Sequence, residues 1–331
     1  MDVLLIGAGA VGQVYGYHFQ RSGARVAYFV REKYAEAARG GFTLCDLNRS
    51  RARRDQPIRF EGFEVLTDME AVAARPFDVV VLCLPADSLR RGTWLEELAA
   101  ALGDATLVNL TPDVEDHAVI ARHVPEAQIV GGLVGLASYH GPLPGDSLPE
   151  PGMVFWVPPF TKMTFSGEAS RAKAVARALS DGGLASTVVP STAEEAAFAD
   201  PVLQLLVAAM EIADWSFEKL GGDGRLMGLM HQAMRETFDA VAARMGVKVP
   251  LALRLLRPWM LRLGMWASRF VVPFDLARFF ALHFTKVGAQ TELMMRSWLA
   301  LTAEQQAPSG ALRSIFDAMM EKRSLALPAG S

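Results

Sequence analysis

The sequence predicts an α/β domain built on a doubly wound parallel sheet, followed by an all-helical domain. Three observations predict it. A short apolar run, Val3 to Ile6, leads directly into Gly7-x-Gly9-x-x-Gly12 and then into a helical pattern. Strand-like and helix-like segments then alternate with short connections as far as Pro190. Beyond Ser191 the strand patterns stop and only helical ones continue. With 331 residues the chain has the length for two cores, expected over 1–190 and 191–331.

The glycine spacing has a physical reading. Gly7 allows the tight turn out of the strand, Gly9 allows a pyrophosphate to approach the backbone, and Gly12 allows the helix to pack closely on the strand. The helix N-terminus that follows offers free N–H groups and a positive dipole end. A second strand, Arg25 to Val30, completes the context of a Rossmann dinucleotide site. Arg31 follows that strand, where a positive residue accommodates the 2′-phosphate of NADP(H) and an acidic one would bind the ribose of NAD(H). Lys33 is nearby and Glu32 lies between them, so NADP(H) is favoured over NAD(H).

From Gly40 to Thr67 the pattern is again strand-like, GFTLCD and PIRFEGFEVL, with the arginine-rich NRSRARR read as a solvated turn on a hairpin. Strands follow at Asp78–Leu84, Ala105–Leu110 and Ile129–Leu136, with helices at Leu89–Leu102 and near Asp113. Ser138 to Pro151 reads as a loop rich in Pro and Gly, carrying Tyr139-His140 where α/β folds bind ligands. Met153–Val157 and Lys162–Phe165 look like a pair of strands, Ala169–Leu179 like a helix and Ala185–Val189 like a last strand. The helical half then runs through Glu194–Lys219, Leu226–Met245, Leu251–Gln305 in pieces, and Gly310–Lys322. His231 and His283 sit in its apolar patterns and read as core or interface residues.

Composition narrows the function. A net charge of −3 argues against nucleic acid as a partner. Only Cys45 and Cys83 are present, which fits a reduced, cytoplasmic protein, and nothing suggests a metal site. Asp2 and the immediate entry into a strand argue against a signal peptide. The stretch Leu251–Phe284 is the most apolar part of the helical half, but Arg254, Arg257, Arg262, Arg269, Asp275 and Arg278 interrupt it, so no transmembrane segment is expected. It reads first as a core or dimer-interface helix with snorkelling arginines, and secondarily as a helix lying on a membrane surface.

With GAGAVG near the N-terminus, Arg31 after the second strand, GFTL, FDVVVLCLP, and GGLVGLAS from Gly131 to Ser138, the chain resembles the ketopantoate reductase family over almost its whole length. The resemblance implies an NADPH-dependent reductase with a helical second half like the C-terminal domain of 6-phosphogluconate dehydrogenase. It also implies dimerisation and a small-molecule substrate held in the cleft between the two domains. Gly7, Ala8, Gly9, Ala10, Val11, Gly12 and Arg31 carry over as cofactor residues, with Leu84, Pro85 and Asn109 at the ends of the next strands.

The family's catalytic pattern is altered. Pro85 stands where a lysine faces the cofactor, and Leu110-Thr111 replaces an asparagine-glycine pair, with Asn109 one position early. Asp200, in Phe198-Ala199-Asp200-Pro201, stands nearest the place of the general-acid lysine, and Gln204 replaces an asparagine one turn later. Glu292 is the nearest match to a late acidic residue, and Lys286 is a further polar candidate. A carboxylate at the lysine's place suits a cationic iminium better than an alkoxide. Asp200 followed by Pro201 also reads as a helix N-cap. Trp259, Met260, Met265, Trp266, Phe270, Phe274, Phe279, Phe280, Phe284, Met294 and Met295 are expected to divide between core and an apolar substrate wall. The sequence thus points to reduction of a carbonyl or imine bulkier than ketopantoate. The alternative is an NADP(H)-binding sensor or scaffold without turnover.

Overall fold

The structure is a computed structural model that describes residues 1–54, 56–84, 88–89, 92–111, 114–144, 150–286 and 288–326. The chain divides into two compact units, Met1–Ala196 and Ala197–Ser331.

Among its described residues the first unit holds twelve strands and the helices between them. In chain order these are β1 (Asp2–Ile6), α1 (Ala10–Arg21), β2 (Arg25–Phe29), α2 (Glu32–Arg39), β3 (Phe42–Asp46), α3 (Arg51–Arg54), β4 (Ile58–Phe60), β5 (Glu64–Leu66), α4 (Met69–Ala73) and β6 (Val79–Leu82). They continue with α5 (Trp94–Ala101), β7 (Thr106–Asn109), α6 (Val114–Ile120), β8 (Ile129–Leu133), β9 (Ala137–Gly141), β10 (Gly152–Trp156), β11 (Met163–Gly167), α7 (Ala169–Asp181) and β12 (Ser186–Val188). The main sheet has the order β12-β11-β8-β7-β6-β1-β2-β5. From β5 to β8 all neighbours are parallel, and β1, flanked by β2 and β6, is where the strand order reverses. Ligands bind beyond the carboxyl ends of strands at such a point. Val3, Leu4, Leu5 and Ile6 are all buried, as a strand covered on both faces requires.

Several expectations are corrected. The sheet is not wholly parallel, because β11 runs antiparallel to β8. A second sheet, β4-β3-β10-β9, is present as well; its antiparallel β3–β4 pair is the expected hairpin, but the sequence pattern does not reveal its pairing with β10 and β9. Met153–Val157 and Lys162–Phe165 are strands but not partners, since β10 pairs with β3 and β9 while β11 pairs with β8 and β12. PIRFEGFEVL likewise serves both sheets: β4 pairs with β3, the chain turns through Gly62 at φ +79°, and β5 pairs with β2. The rings of Tyr28, Phe42, Phe60 and Phe63 pack together across this division. Ser138–Gly141 is part of strand β9 rather than a loop, with Tyr139 buried and His140 exposed. Helix α2 is invisible to periodicity because it buries only Ala35 and Ala38, which leave no apolar rhythm to read. The arginine-rich turn contains one helical turn, α3.

The helical elements are α8 (Thr192–Ile212), α9 (Phe217–Gly222), α10 (Gly224–Met245), α11 (Leu251–Arg254), α12 (Pro258–Val271), α13 (Leu276–Lys286), α14 (Gly288–Glu304) and α15 (Gly310–Ala326). Asp200 does not cap a helix. Helix α8 begins eight residues earlier, where the Glu194 N–H donates to Ser191 Oγ at 3.1 Å, and Pro201 lies inside it. The core of the second unit gathers on α10, packed by α14 and α15, around Met227, Met230, Met234, Phe238, Leu312 and Ile315. Buried Glu236 on α10 accepts the N–H groups of Ala311 and Leu312 at 3.2 and 2.9 Å, which satisfies the first turn of α15. No helix among the described residues is long and apolar enough to cross a membrane.

Candidate nucleotide site and the polar residues of the helical unit

The turn from β1 to α1 is built by its three glycines. Gly7 has φ +103°, and its N–H donates to Phe29 O at 3.0 Å. A Cβ there would lie 2.9 Å from Leu84 Cδ2, so Leu84 acts as a wall of the turn. A Cβ on Gly12 would collide with Gly7 O, which is why the helix can start this close to the strand. Gly9 differs: it has ordinary dihedrals, φ −76° and ψ −168°, and a Cβ on it would meet no protein atom within 4 Å. Its lack of a side chain therefore serves something other than internal packing.

Gly9 is also the N-cap of α1, and no side chain caps this helix. The N–H groups of Ala10, Val11 and Gly12 have no acceptor within the helix, and its first turn carries no acidic residue. Three convergent donors, a positive dipole end and the space at Gly9 together fit a pyrophosphate. The residues present fit a dinucleotide.

Sequence reasoning missed two residues that hold this turn. Buried Tyr28 donates its hydroxyl to Gly12 O at 2.9 Å, and the Gln13 amide donates to Ala8 O at 2.9 Å. The signal for Tyr28 lay in Gly16, where a Cβ would clash with the phenol.

At the end of β2, Arg31 is the N-cap of α2 and is exposed. Its guanidinium lies 5.2 Å from the centre of the Tyr34 ring, and the Lys33 ammonium lies 4.8 Å from the same centre. Tyr34 thus gathers the two cations that the sequence placed near one another. Asn109, at the carboxyl end of β7, braces the turn that follows it. Its Oδ1 accepts the N–H and hydroxyl of Thr111, and its amide donates to Thr111 O. Pro85 lies outside the described residues.

In the helical unit, Asp200 and Gln204 share one face of α8, four residues apart. Gln204 is buried, and its Oε1 accepts the Thr291 hydroxyl from α14 at 2.8 Å. Glu292 is held by Arg296 at 2.8 Å and faces Arg323 at 3.6 Å. Arg323 in turn donates twice to Glu211 of α8 and once to Gly288 O, so Glu292 belongs to a clamp joining α8, α14 and α15. Lys286 is exposed at the end of α13, and the structure does not bring it together with Glu292 in an ion pair.

The apolar residues expected to form core and substrate wall are not all inside. Phe279, Phe280, Phe284 and Met295 are buried, while Trp259, Met260, Trp266 and Phe270 are exposed. Met265, Trp266 and Phe274 line a cavity of about 600 Å³ beside α9 and α12, together with Arg262 and Arg269.

Comparison with known proteins agrees with this fold. No curated protein matches the chain in sequence. A PanE/ApbA family ketopantoate reductase from Ralstonia eutropha JMP134 is 16% identical over 98% of this chain and 99% of its own, with a TM-score of 0.70. D-mandelate dehydrogenase with NADH and anilino(oxo)acetate is 14% identical over 99% and 100%, at 0.71. The 2-dehydropantoate 2-reductase of Geobacter metallireducens GS-15 is 16% identical over 97% and 99%, at 0.71. At such identities the likeness is one of fold: a Rossmann-like sheet unit followed by a helical one. In sequence, residues 3–145 match the family model described as ketopantoate reductase PanE/ApbA, so the N-terminal region is similar to a domain of that family.

Proposed function

We propose that the chain is an NADPH-dependent reductase transferring hydride to the carbon of a C=O or C=N group, on a substrate more apolar than ketopantoate. The observation that carries this reading is the β1–α1 turn, with an uncapped helix start and a glycine, Gly9, whose missing side chain faces no protein atom within 4 Å. The bound nucleotide supplies the hydride. The chain's own part is to hold the pyrophosphate with the first N–H groups of α1 and the 2′-phosphate with Arg31, supported by Lys33.

Asp200 remains the residue proposed to handle the proton or to stabilise a cationic iminium. Glu292 is the weaker candidate, because Arg296 and Arg323 already engage its carboxylate. The apolar character of the substrate is supported by a similar fold, D-mandelate dehydrogenase, which holds anilino(oxo)acetate, an oxoacid bearing an aromatic ring.

The test is a panel of aliphatic and aromatic 2-oxoacids, ketones and cyclic imines, with NADPH oxidation followed by nicotinamide absorbance. Turnover should be best with the bulkier members. Asp200→Asn should abolish it while leaving NADPH affinity unchanged. Tight NADPH binding without oxidation across the panel would replace the enzyme reading with that of a nucleotide-binding sensor.

A further inference from the structure

Helix α12 has no buried residue, although more than half of its positions are large and apolar. Trp259, Leu263, Trp266 and Phe270 recur at intervals of four, three and four, which places them in one stripe along the helix. They are 61%, 52%, 53% and 69% exposed, so the stripe faces outward. Helix α12 packs on α9 and α10, and of the stripe Trp266 also borders the cavity lined by Phe217, Glu218 and Gly221 of α9. A core helix would show the reverse arrangement.

The charges around the stripe are ordered too. Arg262 and Arg269, seven residues apart, flank it on one side. The Arg269 guanidinium lies 4.9 Å from the Trp266 ring centre and 5.0 Å from that of Phe270. Just before α12, Leu251 and Leu255 are 71% and 55% exposed, beside Arg254 and Arg257. From Leu251 to Lys286 the chain has six basic residues and one acidic residue, Asp275, in a protein whose net charge is −3. Positive charge is thus concentrated where the apolar side chains are exposed.

We propose that α12, with the preceding turn α11, seats this protein on an anionic membrane surface. Trp259, Leu263, Trp266 and Phe270 would enter the boundary between headgroups and acyl chains, and Arg254, Arg257, Arg262 and Arg269 would meet lipid phosphates. Tryptophan flanked by arginine is the composition that interfacial helices use. The helix lies along the surface rather than across it. Its 14 residues reach about 21 Å, short of a hydrocarbon core of about 30 Å.

A second copy of the chain fits this face less well. A two-fold pairing of α12 on itself would bring arginine rows of the same sign against one another, with Glu218 and Asp275 of each copy offsetting them in part, whereas an anionic bilayer neutralises each of them.

The experiment uses the full chain and sedimentation with phosphatidylcholine vesicles, with and without phosphatidylserine. Binding should require phosphatidylserine, weaken as salt is raised, and fall at least tenfold in Trp259→Ser/Trp266→Ser/Phe270→Ser. The charge reversal Arg262→Glu/Arg269→Glu should abolish it without removing any apolar group, which gives a second readout if the serine variant misfolds. Both variants should keep wild-type NADPH affinity, so this proposal can fail while the nucleotide reading stands. It is overturned if the protein ignores phosphatidylserine vesicles. It is equally overturned if the wild type is a dimer that both variants convert to monomers without any change in vesicle binding.

Discussion

Gly9 and Gly12 are the same residue type three positions apart, yet they are glycine for different reasons. A Cβ at Gly12 collides with Gly7 O, whereas one at Gly9 meets nothing within 4 Å. Gly12→Ala should therefore destabilise the fold, by about 1–3 kcal/mol as the turn is forced apart. Gly9→Val should change stability by no more than about 1 kcal/mol, because Gly9 contributes no side-chain cap, yet it should abolish NADPH binding. Urea unfolding and calorimetric titration of the two variants separate these outcomes. The glycines were legible in the sequence because their constraint is local, a strand, a turn and a helix start within a dozen residues. The place of Arg31, between β2 and α2, was legible for the same reason. Tyr34, which gathers Arg31 and Lys33, was not, since its role depends on where α2 begins.

Between elements, short polar contacts decide geometry that apolar rhythm does not record. Asp200-Pro201 has the composition of a helix start, but α8 is already running when it reaches them. Ser191→Ala should cost about 1 kcal/mol in urea unfolding by removing the true cap.

His18 joins α1 to the end of α7, its Nδ1–H donating to Gly182 O at 3.0 Å while Nε2 is buried without a partner. Burial lowers its pKa to about 4, from an ordinary 6.5. The unfolded chain therefore binds a proton at His18 in a window where the folded chain does not, so stability falls as pH drops from 6.5 toward 4. The loss should approach about 3 kcal/mol at the acid end. His18→Asn should flatten that part of the stability profile measured by urea unfolding. None of this was legible, because Gly182 is 164 residues away from His18 in sequence. The second sheet was hidden likewise: β3 pairs with β10, more than a hundred residues on, and local patterning carries no trace of such a partner.

At the scale of the whole molecule, the alternation of strands and helices pointed to a doubly wound main sheet around β1, and the loss of strand patterns marked the helical half. What patterning could not show was which apolar residues of Leu251–Phe284 lie inside. Phe279, Phe280 and Phe284 are buried, and Trp259, Trp266 and Phe270 are not, although both sets have helical spacing. Spacing assigns a face to a helix without saying what covers it.

Nucleotide binding, by contrast, has a readout that involves the entire chain. A ligand that binds only the folded state stabilises it by RT ln(1 + [L]/Kd), about 2.7 kcal/mol at a hundredfold excess over Kd. If Arg31 makes a charge-assisted contact to the 2′-phosphate worth about 1–3 kcal/mol, NADH at the same concentration should stabilise by roughly that much less, about 1.4 kcal/mol for each tenfold in affinity. Melting curves with each nucleotide should then separate for the wild type and converge for Arg31→Ala. They should lose their shift altogether for Gly9→Val, and keep it in the α12 serine variant, whose substitutions lie outside the β1–α1 turn. Equal shifts by NADPH and NADH in the wild type would remove Arg31 from the site, whatever the reaction proves to be.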